Sequence, residues 1–260
     1  MAGKKGAAER FYAPYGSIML GSNNRIFIVP HGFNHEESGA HEAVALVAME
    51  TSSFAILNSA IPRSQINLND YQSIEESKSK QAKQFLEDLI FLVGQVRDQQ
   101  EKVTVFFVHC CPEVYSAKRT LFKRDLSGKL VTAERGAKRP YVVDMGAGIV
   151  EVESSLLDDE PQEEFLARKY PLAKDFRRRL FENAGELTCS REQVYRLQNS
   201  LLSQGIQATV GLEWPASRKT NLTQVVREIF PTVEVIQLEF ACQPELMKTT
   251  LQAVIKTSTE

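Results

Sequence analysis

The sequence predicts an α/β protein of three layers, with a central mixed, mostly parallel sheet between two layers of helices. Three observations lead there. Short apolar runs rich in β-branched and aromatic residues alternate with longer segments of helical period. Most of the short runs are apolar throughout, as strands covered on both faces should be. The order strand, helix, strand recurs along the chain, which is the pattern of a sheet with helices packed on it.

The strands are read as RIFIVPHG (25–32), FAILNSA (54–60), KVTVFFVHC (102–110), YVVDMGAG (141–148), QATVGLEW (207–214) and EVIQLEF (234–240). HEAVALVAMET follows the first of them as a helix. From Ser73 to Gln100 a second helical stretch carries Ala82, Phe85, Leu86, Leu89, Ile90, Val93 and Val96 at helical spacing. EEFLARKYPLAKDFRRRLFENAG and REQVYRLQNSLLSQG supply two more. Ser190 with Gln193 forms a capping box at the start of the last one, and Gly205 ends it.

Residues 115–140 break this rhythm. They hold Lys118, Arg119, Lys123, Arg124, Lys129, Arg135, Lys138 and Arg139 against Asp125 and Glu134, with a turn at Leu-Ser-Gly-Lys (126–129) between two short extended arms. The segment is expected to be a hairpin-like excursion from a single domain spanning 1–260. Two readings stand for it, a solvated hairpin and a cationic lid over an anionic substrate.

Composition bounds the function. With 43% hydrophobic and 25% charged residues in 260, the chain can bury one substantial core. A net charge of −2 offers no global attraction to nucleic acid. No segment approaches the roughly 18 to 20 apolar residues that span a bilayer, and the start, MAGKKGAAERFYAPYG, has no apolar h-region, so a cytoplasmic protein with no membrane partner is expected. Cys110, Cys111, Cys189 and Cys242 are too sparse for a disulfide scaffold and are read as reduced packing residues.

Chemistry gathers at strand ends, where loops of an open α/β sheet bring distant residues together. "PHGFNHEESGAHE" (30–42) packs three of the four histidines after the first strand; Arg63 and Asn67 follow the second, His109 ends the third, and Glu239 lies near the end of the last. A catalytic zinc takes three imidazole or carboxylate ligands and keeps a fourth position open. His31, Glu36 and His109 would supply such a set, with Gly32 permitting the sharp departure from the strand. Spacing alone leaves His35 and His41 as alternative ligands, and Glu37 and Glu42 as alternatives to Glu36.

The stretch His31-Gly-Phe-Asn-His-Glu36 resembles the His-x4-Glu zinc motif of phage-type poly-gamma-glutamate hydrolases, and Ser38-Gly-Ala-His-Glu42 continues the similarity. SAIPRSQINLN (59–69), FFVHCC (106–111) and VIQLEF (235–240) resemble, in order, three segments of N-formylglutamate amidohydrolases. Both groups are zinc-carboxypeptidase-like hydrolases. The resemblance implies one zinc ion held by His31, Glu36 and His109, a general base and acid at Glu239, and a substrate-carboxylate clamp at Arg63. Asn67 and Asn69 would add neutral hydrogen bonds. The implied reaction is cleavage of an amide bond in a small carboxylate-bearing substrate, of the N-acyl amino acid or glutamyl peptide type. The chain departs from the formylglutamate pattern at Asn67, where those enzymes carry aspartate, and at Asp70, where they carry arginine, so the charge of its pocket differs.

Other readings compete. A cysteine hydrolase built on Cys110 or Cys111 would need a base on the same face, and the side chain of His109 points away from that of Cys110. The glycines of DMGAG (144–148) lack the lysine of a phosphate loop and are read as allowing close backbone approach. An inactive binding or scaffold protein on the same fold, recognising an anionic ligand, is the non-enzymatic alternative.

Overall fold

The computed structural model describes residues 8–31, 38–149, 186–241 and 243–257. Ten strands are found among them: β1 Glu9–Ala13, β2 Gly16–Leu20, β3 Arg25–Val29, β4 Phe54–Asn58, β5 Thr104–Cys110, β6 Arg119–Arg124, β7 Leu130–Ala133, β8 Val143–Gly146, β9 Ala208–Val210 and β10 Glu234–Phe240. The helices are α1 Ser38–Thr51, α2 Tyr71–Glu76, α3 Lys80–Gln99, α4 Arg191–Ser203, α5 Leu222–Ile229 and α6 Pro244–Thr257. Eight strands form one sheet in the order β1-β2-β4-β3-β5-β10-β8-β9. Its centre, β4, β3, β5 and β10, is parallel. β2 joins β4, and β8 joins β10, in antiparallel fashion.

The fully apolar strand pattern follows from cover on both faces. Phe106, Val108, Cys110, Ile236, Leu238 and Phe240 pack with α1, α4 and α6 on one side. Val105, Phe107 and Val235 pack with α2, α3 and α5 on the other. The sheet is thus mixed, mostly parallel and sandwiched by helices, as the sequence predicts. No helix of the described residues is long and apolar enough to cross a membrane.

The differences have local causes. The helical stretch from residue 73 to 100 is two helices, because Ser77 folds back onto Ile74 O at 2.8 Å and Ser79 opens a new helix by accepting from Ala82 N at 3.2 Å. β1 and β2 were not legible, since β1 is an edge strand whose residues 9–12 are exposed and leave no apolar run to read. α5 and α6 were also missed. The helix expected over 163–185 lies outside the described residues.

β6 and β7 form a separate two-stranded antiparallel sheet. Asp125 closes its turn, its Oδ1 accepting from Ser127 N at 2.8 Å and Lys129 N at 3.0 Å. The hairpin is docked rather than merely solvated: Phe122 N donates to Leu212 O at 2.8 Å, and Tyr115, Leu121, Ala133, Tyr141, Leu212 and Ala241 share a small apolar cluster.

Candidate active site at the carboxyl edge of the sheet

Parallel strands end together, so β3, β4, β5 and β10 deliver their following loops to one edge. On one face of β5 the residues run Val105, Phe107, His109; on the adjoining face of β10 they run Val235, Gln237, Glu239. Val105, Phe107 and Val235 are core residues, each side chain contributing about 1.5–3 kcal/mol by burial. The polar ends of the same rows line a cavity of about 570 Å³, which His31, Arg63, Asn67 and Asn69 also line. Strand register sets Glu239 beside His109.

The imidazoles of His31 and His109 face each other with centroids 5.2 Å apart and planes inclined at 53°. Both are buried, and among the described residues His31 Nδ1 and His109 Nε2 have no hydrogen-bond partner. Burial, reinforced by the nearby Arg63 cation, pushes His31 down to about 3, against a hydrogen bond from its ring to Asn67. His109 is held well below the ordinary imidazole value by burial, then by His31 and Arg63. Two neutral imidazoles with unshared nitrogens on one cavity are the donor set that a divalent transition metal takes. No group of three or more His, Cys, Asp or Glu side chains arranged for a metal is found among the described residues. Glu36, the acidic ligand expected from the sequence, lies outside them, as do His35 and Glu37. His41 sits on α1 and does not line the cavity.

Buried side chains fix the loops that carry this set. Asn58, at the end of β4, donates to Pro30 O and Ile61 O, each at 2.8 Å, and accepts from Ile61 N at 3.0 Å. One side chain therefore ties the residue preceding His31 to the loop bearing Arg63. Asn67 Oδ1 accepts from Asn69 N at 3.1 Å, shaping the next turn. Asp70 caps α2 and pairs with Arg218 at 3.1 Å. The anion at this position thus has an arginine supplied to it from another loop. Gln237 Oε1 accepts from Asn221 Nδ2 at 3.1 Å, and Asn69 Nδ2 lies 3.5 Å away.

The wall formed by residues 211–218 was not foreseen. Asp144, fully buried opposite Glu239, accepts from Leu212 N at 3.0 Å, Glu213 N at 2.8 Å, Trp214 N at 2.8 Å and Thr209 Oγ1 at 2.8 Å. Burial raises its carboxyl, and those four donors work in the opposite direction. The bonds present Glu213 and Trp214 to the cavity. Glu213 is fully buried and receives Arg139 through two bonds, Nε to Oε2 at 3.1 Å and Nη2 to Oε1 at 3.2 Å, together with Tyr141 Oη at 2.8 Å. Arg119 Nε lies 3.0 Å from Glu213 Oε1, within ion-pair distance though not aligned as a hydrogen bond. A charged residue inside the apolar run QATVGLEW was the signal available in the sequence, since a buried carboxylate demands partners.

Gly146 bears out the reading of the DMGAG glycines. A Cβ there would stand 2.3 Å from Trp214 O and 3.0 Å from Ala216 N, so the strand and the cavity wall meet at a distance no other residue allows. Gly146→Ala is expected to lower stability by about 1–3 kcal/mol, the usual cost of overpacking, as read from urea unfolding.

Neither Cys110 nor Cys111, the two weighed as nucleophiles, offers a thiolate to this site. Cys110 packs on the opposite face of the sheet with α1, α4 and α6. The Cys111 thiol is pushed well above its ordinary value by burial and then by Glu239, which keeps it protonated.

The chain is similar to several solved structures. A gene product of Agrobacterium tumefaciens superposes with a TM-score of 0.52 at 8% identity, covering 98% of this chain and 96% of that one. N-formylglutamate amidohydrolase from Ralstonia eutropha gives 0.49 at 9% identity over 97% of both chains. A bacteriophage poly-gamma-glutamate hydrolase gives 0.43 at 12% identity, covering 97% of this chain and 88% of its own. No family model and no curated protein matches the sequence. At such identities the likeness is one of fold.

Proposed function

We propose that the protein is a zinc-dependent hydrolase that cleaves an amide bond in a small substrate bearing a carboxylate, of the N-acyl amino acid or glutamyl peptide type. The observation that carries this reading is the pair of buried, neutral imidazoles, His31 and His109, whose unpartnered nitrogens share a cavity with Glu239. A metal-free protein would gain nothing from leaving two such nitrogens unpaired in its interior, where an unsatisfied polar atom costs about 1–3 kcal/mol.

His31 and His109 would hold the zinc, with Glu36 as the third ligand. When bound there, a zinc ion would supply Lewis acidity, which lowers the pKa of water and polarises a carbonyl. Glu239 handles the proton, its carboxylate taking it from the attacking water and passing it to the leaving nitrogen, which then departs as an amine. Its place beside His109 keeps that carboxylate within the same cavity. Arg63 orients the substrate by gripping its carboxylate through a planar fork, and Asn67 and Asn69 line the approach.

Elemental analysis of the purified full-length chain tests the reading. One zinc ion per chain is expected, with His109→Ala losing it, and hydrolysis of N-acylglutamates or glutamyl peptides should follow the metal content. A wild-type protein that holds no zinc and takes none up on addition would sink the hydrolase and leave a binding protein on the same fold.

A further inference from the structure

The two ends of the main sheet differ. One is β9, three residues long; the other is β1, five residues paired with β2 alone in an unbroken register from Glu9 to Ala13. Among the described residues no strand takes the outer N–H and C=O groups of β1. An open edge invites another chain, and proteins blunt it with a lysine, a proline or a bulge. Glu-Arg-Phe-Tyr-Ala has none of these. It also bares aromatic surface: Phe11 is 45% and Tyr12 87% exposed, and Leu20 of β2 is exposed on the face that Phe11 shares.

Symmetry and charge decide which chain fits. A two-fold axis would set β1 antiparallel to its own copy. Along an antiparallel pair, bonded and non-bonded positions alternate and only like positions face each other, so the axis must pass at a residue and not between two. Glu9 or Arg10 at the axis would put like charges face to face. Tyr12 or Ala13 there would bring Pro14, which has no N–H, opposite Arg10 or Tyr12. Phe11 remains. With the axis there, Phe11 meets Phe11 of the second copy as an aromatic pair, Arg10 meets Tyr12, and Glu9 meets Ala13.

Arg10 is already set for this register. Its Nε donates to Ser17 Oγ at 3.1 Å, and its Cζ stands 5.6 Å from the centroid of the Tyr12 ring of its own strand. Arg10 and Tyr12 share a face of the strand, so across the axis cations and rings alternate, and each guanidinium falls between a ring of its own copy and one of the other.

We propose that the protein is a homodimer in which two copies of β1 pair antiparallel about a two-fold axis at Phe11, joining the two eight-stranded sheets edge to edge. This goes beyond the hydrolase reading and is independent of it, since no residue of β1 lines the cavity.

Sedimentation equilibrium of the untagged full-length chain, from about 1 to about 300 µM, is expected to show dimerisation in the micromolar range, as suits five residues a side against the about 20–30 of a standard interface. Phe11→Glu sets two carboxylates face to face and should weaken the dimer by about tenfold or more, with a thermal melt establishing that the variant is folded. In a glutathione redox buffer Phe11→Cys should form a disulfide-linked dimer, because facing residues of an antiparallel pair lie close enough for that bond. Glu9→Cys should stay unlinked, because that position faces Ala13. A wild type that remains monomeric throughout, a dimer indifferent to Phe11→Glu, or linkage of Glu9→Cys in place of Phe11→Cys would overturn the proposal. Should Phe11→Glu fail to fold, the linkage pattern of the two cysteine variants decides. None of these outcomes bears on zinc or on amide turnover.

Discussion

Replacing Glu239 by Gln is expected to lower turnover of an amide substrate by about 10²–10⁴-fold, the usual contribution of a positioned general acid and base. Zinc content should stay unchanged, because Glu239 is not one of the proposed ligands. The substitution is nearly isosteric, and Glu239 is 6% exposed at the end of a strand paired on both sides, so the fold has little reason to respond. The amide accepts no proton at neutral pH, and the effect should therefore appear in kcat with little change in KM. A variant with full zinc and undiminished turnover would refute the role given to this residue without touching the metal site. Loss of zinc in the variant would instead make Glu239 a ligand.

Asp144→Ala is expected to destabilise the protein by about 3–9 kcal/mol, since three backbone N–H groups, two buried and one part-buried, lose their acceptor at about 1–3 kcal/mol each. The donors belong to Leu212, Glu213 and Trp214, and the Thr209 hydroxyl loses its partner as well. Against a total of about 5–15 kcal/mol for a typical domain, such a loss threatens the fold itself. Asp144→Asn keeps one acceptor oxygen and should fall between the variant and the parent. Urea unfolding at neutral pH measures both. A loss under about 1 kcal/mol for Asp144→Ala would mean that residues 212–214 keep their shape without the carboxylate, in contrast to the usual cost of orphaned amides.

The parts of the fold that were legible are those where burial writes a pattern. β3, β4, β5 and β10 are apolar runs because helices cover both of their faces, and the order of strands and helices along the chain gave the layers. β1 left no such pattern, being an exposed edge, and the break between α2 and α3 depends on two serine side chains that periodicity does not weigh. In the site, His31, Arg63, Asn67, Asn69, His109 and Glu239 come to one cavity because each lies at or just beyond the carboxyl end of a central parallel strand. Their neighbourhood was readable from that rule alone, together with the oddity of polar residues ending apolar rows. Glu213, Arg119 and Arg139 were not readable as a unit. Their meeting depends on Asp144 folding the chain after β9 back on itself, and on a hairpin docked through backbone bonds, neither of which has a periodic signature. The excess of basic residues in 115–140 was visible, but which of them would be buried was not.

Among the described residues β10 is the last strand in chain order, and it is inserted in the interior of the sheet between β5 and β8. Until residue 240 has left the ribosome, the nascent chain offers β5 as an unpaired edge bearing Thr104–Cys110, a fully buried strand in the finished protein. Among the described residues, β8 and β9 then have only each other to pair with. Closing this gap requires contact across more than a hundred residues of sequence, which slows folding and lengthens exposure to aggregation. The edge that carries the candidate site is consequently completed only when β10 pairs with β5 and β8.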